Sequence, residues 1–272
     1  MKAQQRTELT FLRIQYTNND GDTPETVVQG VSGKVSPYES MCILDSSHSG
    51  ASSILLKVIA GRASAAGVVH GVVKANNTKL TANYSLVYSA FVSAGDSAQC
   101  AQLTVRQTLM YAALLRRTDQ RSCATVRHWY SSQFDSKHVS SLPEYVPYRD
   151  DDVQYDNTGA SSGTSVVPLN EIENNIGSSR DLLQRIDDII LMMGLEQLAD
   201  VCIGHRQKRN LSPSQLRCLT IAVELVNRPS LLFLDNPLAD LDWHHSLVVT
   251  NAIKTLVAGG RTVICTMNTP TK

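Results

Sequence analysis

The stretch Leu231-Leu232-Phe233-Leu234-Asp235-Asn236-Pro237-Leu238-Ala239-Asp240-Leu241-Asp242 decides the fold. An apolar run ends in an acid, a Pro follows two residues later, and a second Leu-Asp pair comes soon after. A short continuous apolar run bounded by turn signals predicts a strand buried on both faces. Such a strand delivers a carboxylate to a phosphate-binding edge. The plainer alternative for Asp235 alone is a loop residue or a helix cap.

Reading outward, Ser212-Pro213-Ser214-Gln215 has a Ser cap, a Pro at the first helical position and a Gln three after the cap. Leu216, Leu219, Val223 and Val226 are spaced as the core stripe of the helix that follows, which must end near Arg228-Pro229. Thr262 to Met267 reads as a last strand, ending at Asn268. Toward the N-terminus, residues 9–16 alternate loosely, as in an edge strand, and Met41-Cys42-Ile43-Leu44 reads as a short buried strand. A small-residue loop follows, then an apolar helix from Ser53 to Ala60, with Gly61 placed to end it. Strand–loop–helix opens a phosphate-binding α/β unit. Leu103 to Leu109 leads into a helix ending near Arg116; Leu182, Leu183, Ile186, Ile189, Ile190 and Met193 lie on one helical face, stopped at Gly194. Helices alternating with apolar strands predict a mostly parallel sheet.

Composition narrows the function. The 272 residues are 42% hydrophobic, enough for a real core. Lys plus Arg equal Asp plus Glu at 25 each, so there is no basic field to track a nucleic-acid backbone. The six Cys (42, 100, 123, 202, 218 and 265) are scattered without a C-x-x-C pair. Cys42 and Cys265 fall in apolar runs, where the expectation is a small core residue in a reducing compartment. Met1 to Thr10 lacks the apolar core of a signal peptide, and no run of ~18 apolar residues marks a membrane span. The expected setting is soluble and cytosolic. Between Arg117 and Ser179 apolar periodicity vanishes, predicting a flexible polar insertion, with a regulatory loop as the functional alternative.

Four stretches in order resemble an ABC transporter nucleotide-binding domain, of the subfamily G (White-type, sterol half-transporter) branch. They are Met41–Arg62, Leu103–Leu109, Ile221–Asp242 and Gly260–Thr266. The resemblance implies an α/β, P-loop NTPase-like fold: a mostly parallel sheet with helices, an antiparallel N-terminal β portion and a small helical subdomain. Residues 1–116 then form the N-terminal part, 117–179 the insertion, and 180–272 the signature, acid-bearing strand and switch strand. It implies ATP and Mg²⁺ as cofactors. Ser47, Ser49, Gly50, Ala51, Ser52, Ser53 and Ser212 stand on the nucleotide side, and Ser52 and Asp235 on the metal side.

Departures from the family pattern fall on chemistry. In the motif G-x-x-x-x-G-K-[ST], Gly50 and Ser52 match, but Asp45 replaces the first Gly and Ala51 the Lys. Two unit charges 4 Å apart near a protein surface interact by roughly 4 kcal/mol, so Asp45 matters if it points inward and little if it faces solvent. Asn236 occupies the family's catalytic Glu position and Asn268 its switch His position, leaving no catalytic residue. Ala94 or Gly95 stands at its Gln position. Leu211-Ser212-Pro213-Ser214-Gln215 corresponds to the Leu-Ser-Gly-Gly-Glu/Gln signature; Pro213 deletes a donor and Ser214 adds bulk. His244 and His245 read as a solvated loop pair rather than a metal site.

These departures imply a retained fold with weak or no ATP binding and no effective hydrolysis. The implied role is associated with lipid- or sterol-type export. Its partners would be another ABC nucleotide-binding domain, as homo- or heterodimer, and a membrane domain not in this chain. That places it in the cytoplasm, at the cytosolic face of a membrane through a spanning partner or a missing C-terminal region. The alternative is a non-catalytic interaction module that docks on an intact ABC subunit and regulates it. A working ATPase outside transport is disfavoured by the lack of long heptads and basic charge.

Overall fold

The computed structural model describes residues 6–19, 24–45, 50–63, 67–80, 89–95, 99–115, 179–205 and 208–268. The expected insertion at 117–179 lies outside the described residues, save Ser179 itself. The chain divides into one compact unit of Met1–Arg116 with Leu182–Lys272 and a second of Arg117–Asp181. Nearly all described residues belong to the first.

Its parallel sheet has the order β3-β10-β9-β6, built from β3 (Ser40–Asp45), β6 (Ser89–Val92), β9 (Leu231–Leu234) and β10 (Thr262–Asn268). All four residues of β9 are buried, as the apolar run requires of a central strand. β3 differs from its expectation. It stands at the sheet's end, and its apolar run resolves into alternation: Met41 and Ile43 turn to the core while Cys42 and Leu44 are exposed.

The N-terminal portion is a four-stranded antiparallel sheet, β2-β1-β4-β5, from β1 (Leu9–Asn18), β2 (Glu25–Val35), β4 (Gly67–Ala75) and β5 (Thr78–Lys79). β1 is not the edge strand its loose alternation suggested, because β2 and β4 pair on either side of it. Its alternation is loose for a physical reason. The register shifts between Phe11 and Ile14, where Arg13 takes a left-handed φ of 49°, so the inward-facing set changes phase.

Helix α1 (Ala51–Ile59) joins the two sheets in one core: its Leu55, Leu56, Val58 and Ile59 pack with Phe11 and Tyr16 and with Phe233 and Ile264. Gly61, at φ 72°, follows its end as expected. Among the described residues four further helices follow: α2 (Val105–Leu115), α3 (Ser179–Met192), α4 (Pro213–Leu225) and α5 (Trp243–Ala258). A two-stranded ribbon, β7 (Gly204–His205) and β8 (Lys208–Arg209), precedes α4. α3 ends at Met192, with Gly194 at φ 66° in the turn just beyond, and Arg106 of α2 pairs with Asp187 of α3 and with Asp200. His244 and His245 open α5 and are not in a loop. The cause is Asp242, whose carboxylate caps that helix.

Candidate functional site

Parallel strands bring their carboxyl ends to one edge, where ligands of open α/β sheets bind. Here that edge carries Asp45, Ser93 after β6, Asp235 after β9, and Asn268. Asp45 and Asn268 are register partners at the ends of β3 and β10. Asp235 follows β9, and its N–H donates to the Val92 carbonyl of β6 at 2.8 Å.

The Asp235 carboxylate is only 2% exposed, and its Oδ1 accepts two hydroxyls: Ser53 Oγ at 2.6 Å and Thr266 Oγ1 at 2.7 Å. Charge-assisted bonds of this kind are about twice as strong as neutral ones, which offsets the cost of burying the acid. Thr266 Oγ1 in turn accepts the Asn236 N–H at 2.9 Å. One hydroxyl thus fixes both the acid and the residue after it.

Asn236 has a left-handed φ of 45°, a region Asn tolerates better than most residues. Arg217 of α4 holds the same turn from the other side. Its guanidinium donates to the carbonyls of Asp235 (2.8 Å), Asn236 (3.3 Å) and Ser93, the residue after β6. α4 therefore braces two loops of the carboxyl edge at once.

At the start of α1, Gly50 occupies the N-cap with φ 74° and no side-chain cap. A Cβ there would meet nothing within 4 Å, so conformation and not space asks for glycine. The first turn presents the positive end of a helix dipole, the usual anion cradle. Ala51 adds no charge to it. Ser52 is buried, and the hydroxyl that reaches Asp235 is that of Ser53, one position later. Asp45 is 6% exposed, a buried carboxylate at this edge.

Ser212 caps α4 in a reciprocal box: its Oγ accepts the Gln215 N–H at 3.2 Å, and Gln215 Oε1 accepts the Ser212 N–H at 2.9 Å. Ser214 is buried, and its Oγ accepts the Asp242 N–H at 3.2 Å. Asp242 accepts the His245 N–H at 2.9 Å and meets His245 Nδ1 at 2.7 Å. The backbone N–H of His245, above all, holds the Asp242 carboxyl down at about 2. Loop, helix start and acid-bearing turn are thus one hydrogen-bonded assembly.

Ser47 and Ser49 lie outside the described residues, as does the Asn268 side chain. Ala94 and Gly95 follow β6, with open space where a Gly95 Cβ would stand. Sequence reading did not single out Thr266, Arg217 or Ser93. Thr266 left a signal, a hydroxyl interrupting the apolar run from Val263 to Met267. Among the described residues no group of three or more His, Cys, Asp and Glu could hold a metal ion. No helix among them is long and apolar enough to cross a membrane.

The family model described as ABC transporter matches residues 28–239, most of the chain. The chain belongs to the ABC transporter family. As an ABC nucleotide-binding domain of subfamily G, it is 41% identical over 93 residues to ABC transporter G family member 1 of Dictyostelium discoideum. It is 39% identical over 93 residues to ABC transporter G family member 35 of Arabidopsis thaliana. Those matches cover 34% of this chain but only 12% and 6% of the relatives, so the chain spans a small part of their length. Among solved structures, a nucleotide-free ATP-binding cassette from an ABC transporter superposes with a TM-score of 0.59 at 17% identity, covering 96% of this chain and 81% of that one. That likeness establishes the cassette fold, α/β with a P-loop NTPase-like parallel sheet.

Proposed function

We propose that this domain binds ATP weakly or not at all and does not hydrolyse it effectively, while keeping the cassette's shape. The observation that carries the reading is the charge at the phosphate edge. Asp45 is buried at the end of β3, Asp235 is buried at the end of β9, and α1 opens with Ala51. Arg217, a cation at the same edge, has its guanidinium on three backbone carbonyls.

The residues fit the two cofactors unequally. Asp235 and the Ser53 hydroxyl bonded to it are oxygen donors of the kind Mg²⁺ takes, with Ser52 at the motif's metal-side position, and the first turn of α1 suits a phosphate. The charge balance opposes the phosphates: a buried acid stands where the motif has Gly, and a methyl where it has Lys. Asn236 has an amide that can orient water but cannot accept its proton, and Asn268 fills the switch position. Bound Mg²⁺ would supply charge stabilisation to the phosphates; this chain's contribution is to orient the oxygens around it.

By likeness to subfamily G, the domain works beside a second nucleotide-binding domain and a membrane domain, in export of a lipid- or sterol-type substrate at the cytosolic face. One observation favours a second reading, a non-catalytic module docking on an intact subunit. Trp243 and Leu247, one turn apart on α5, are 84% and 49% exposed.

Calorimetric titration with Mg-ATP tests the first reading. The expected result is no saturable heat at micromolar nucleotide. Saturation in that range would mean that another group holds the phosphates, and the reading would fail.

A further inference from the structure

Cys42 of β3 and Cys265 of β10 are direct partners in the parallel register. Partners in a parallel pair project from the same face, and neighbouring strands run roughly 4.7–4.9 Å apart. That spacing lies inside the Cα separation of about 4.4–6.8 Å that a disulfide accepts. Both cysteines are free thiols; Cys42 is exposed and Cys265 half-buried. Cys265 Sγ donates to the Met41 carbonyl, on the residue before Cys42, at 3.7 Å. Sequence alone suggested two small core residues. Alternation along an end strand instead puts one of them in solvent beside the other.

We propose that Cys42 and Cys265 are a peroxide-oxidisable dithiol that closes into a reversible disulfide, tying β3 to β10. This site is separate from the nucleotide reading and does not depend on it. The exposed Cys42 reacts first: its thiolate attacks one peroxide oxygen, the O–O bond breaks, and hydroxide leaves and takes up a proton. The sulfur of Cys265 then attacks the sulfenic sulfur of Cys42, gives up its own proton, and displaces the oxygen as water. Two thiols and one hydrogen peroxide become one disulfide and two waters.

Burial, with Cys42 alongside, pushes the Cys265 thiol up to about 12, so the second step is the slower one. The sulfenic acid on Cys42 is then long-lived enough to trap. Cβ atoms at the strand spacing stand wider than the ~3.8 Å mean of disulfides, which leaves the bond strained and readily reduced. Its place gives it leverage on the carboxyl edge, since Cys42 lies three residues before Asp45 and Cys265 directly before Thr266.

The test treats the reduced full chain with hydrogen peroxide, quenches, alkylates under denaturing conditions and maps the peptides. The expected product is a Cys42–Cys265 linked peptide, reversed by dithiothreitol. Dimedone present during oxidation should label Cys42 and spare Cys265. Cys265→Ser should leave Cys42 to pass on to sulfinic acid, and Cys42→Ser should leave Cys265 alkylatable. Linkage of Cys42 to another cysteine would overturn the proposal. So would Cys42 oxidation with Cys265 still alkylatable, or no loss of either thiol at peroxide levels that oxidise the exposed Cys100 and Cys202. The unmodified chain's peptide map decides the matter even if a variant does not fold.

Discussion

Ser53 Oγ donates to Asp235 Oδ1 at 2.6 Å across 182 residues of chain, fastening the first turn of α1 to the end of β9. The bond joins the strand–loop–helix unit at the N-terminal side to the acid-bearing strand near the other end. A hydrogen bond to a charged group contributes about 1.5–3 kcal/mol. Ser53→Ala should therefore lower stability by roughly that amount, read as a lower urea midpoint at unchanged slope.

Thr266 holds two partners with one oxygen, donating to Asp235 and accepting from the Asn236 N–H. Thr266→Val keeps the shape but leaves a buried carboxylate and a backbone N–H short of a bond. It should cost about 1–3 kcal/mol, whereas Thr266→Ser, which keeps the oxygen, should cost much less. Equal loss in the two variants would show that the methyl, not the hydroxyl, is what the site needs.

The legible parts of this fold were those where local pattern and tertiary role agree. β9 is apolar because both its faces are covered, and α4 announces itself because its cap uses Ser212, Pro213 and Gln215 together. β1 and β3 misled for the opposite reason. A bulge changes the phase of one, and the other's apolar run hides a solvent face. α5 went unread because its apolar stripe is broken by Trp243 and Leu247, both exposed. At the site, Asp235 was legible from its place after an apolar run. Thr266 and Arg217 were not, because their roles depend on which strands become neighbours, and that is a long-range fact.

Asn236 sits at φ 45°, where most side chains crowd the backbone by roughly 1–2 kcal/mol. Asn236→Glu should destabilise the fold by about that much, and Asn236→Gly should not. Thermal midpoints of the two variants check this. A Glu variant as stable as the parent would mean that the turn relaxes out of the left-handed region.

Asp242 makes stability depend on acid pH. Its folded carboxyl lies at about 2, against an ordinary 3.8, chiefly through the His245 backbone N–H. A depressed acid contributes stability that is present above the unfolded value and lost as pH falls through the folded one. The stability difference between the parent and Asp242→Ala should be constant above about pH 5 and should shrink as pH falls from about 4 to 2. A difference that stays flat over that window would show that the capping bond is absent in solution.

The remaining prediction separates nucleotide binding from turnover. Asp45→Gly with Ala51→Lys removes a buried acid from the phosphate edge and supplies the missing cation, so the pair should raise Mg-ATP affinity measurably by calorimetry. Each change alone should do less, because the single Lys would face Asp45 and the single Gly would bring no charge. Turnover should still be absent in that double variant. Asn236 cannot take a proton from water, and a missing proton acceptor costs about 10²–10⁴ in rate. Loss of one preorganised charge-stabilising group costs about 10²–10³ more, and the two need not multiply. Adding Asn236→Glu should bring hydrolysis above background only in the affinity-restored chain, and then at some cost in stability from the left-handed turn. Mixing the unmodified chain with an intact subfamily G domain should give no more hydrolysis than that domain alone. Ser214 is engaged with Asp242 inside its own chain, and Pro213 offers no N–H to a partner's nucleotide. Stimulation in the mixture that Ser212→Arg abolishes would overturn this. Stimulation that Trp243→Ala abolishes while Ser212→Arg does not would support docking through α5 instead.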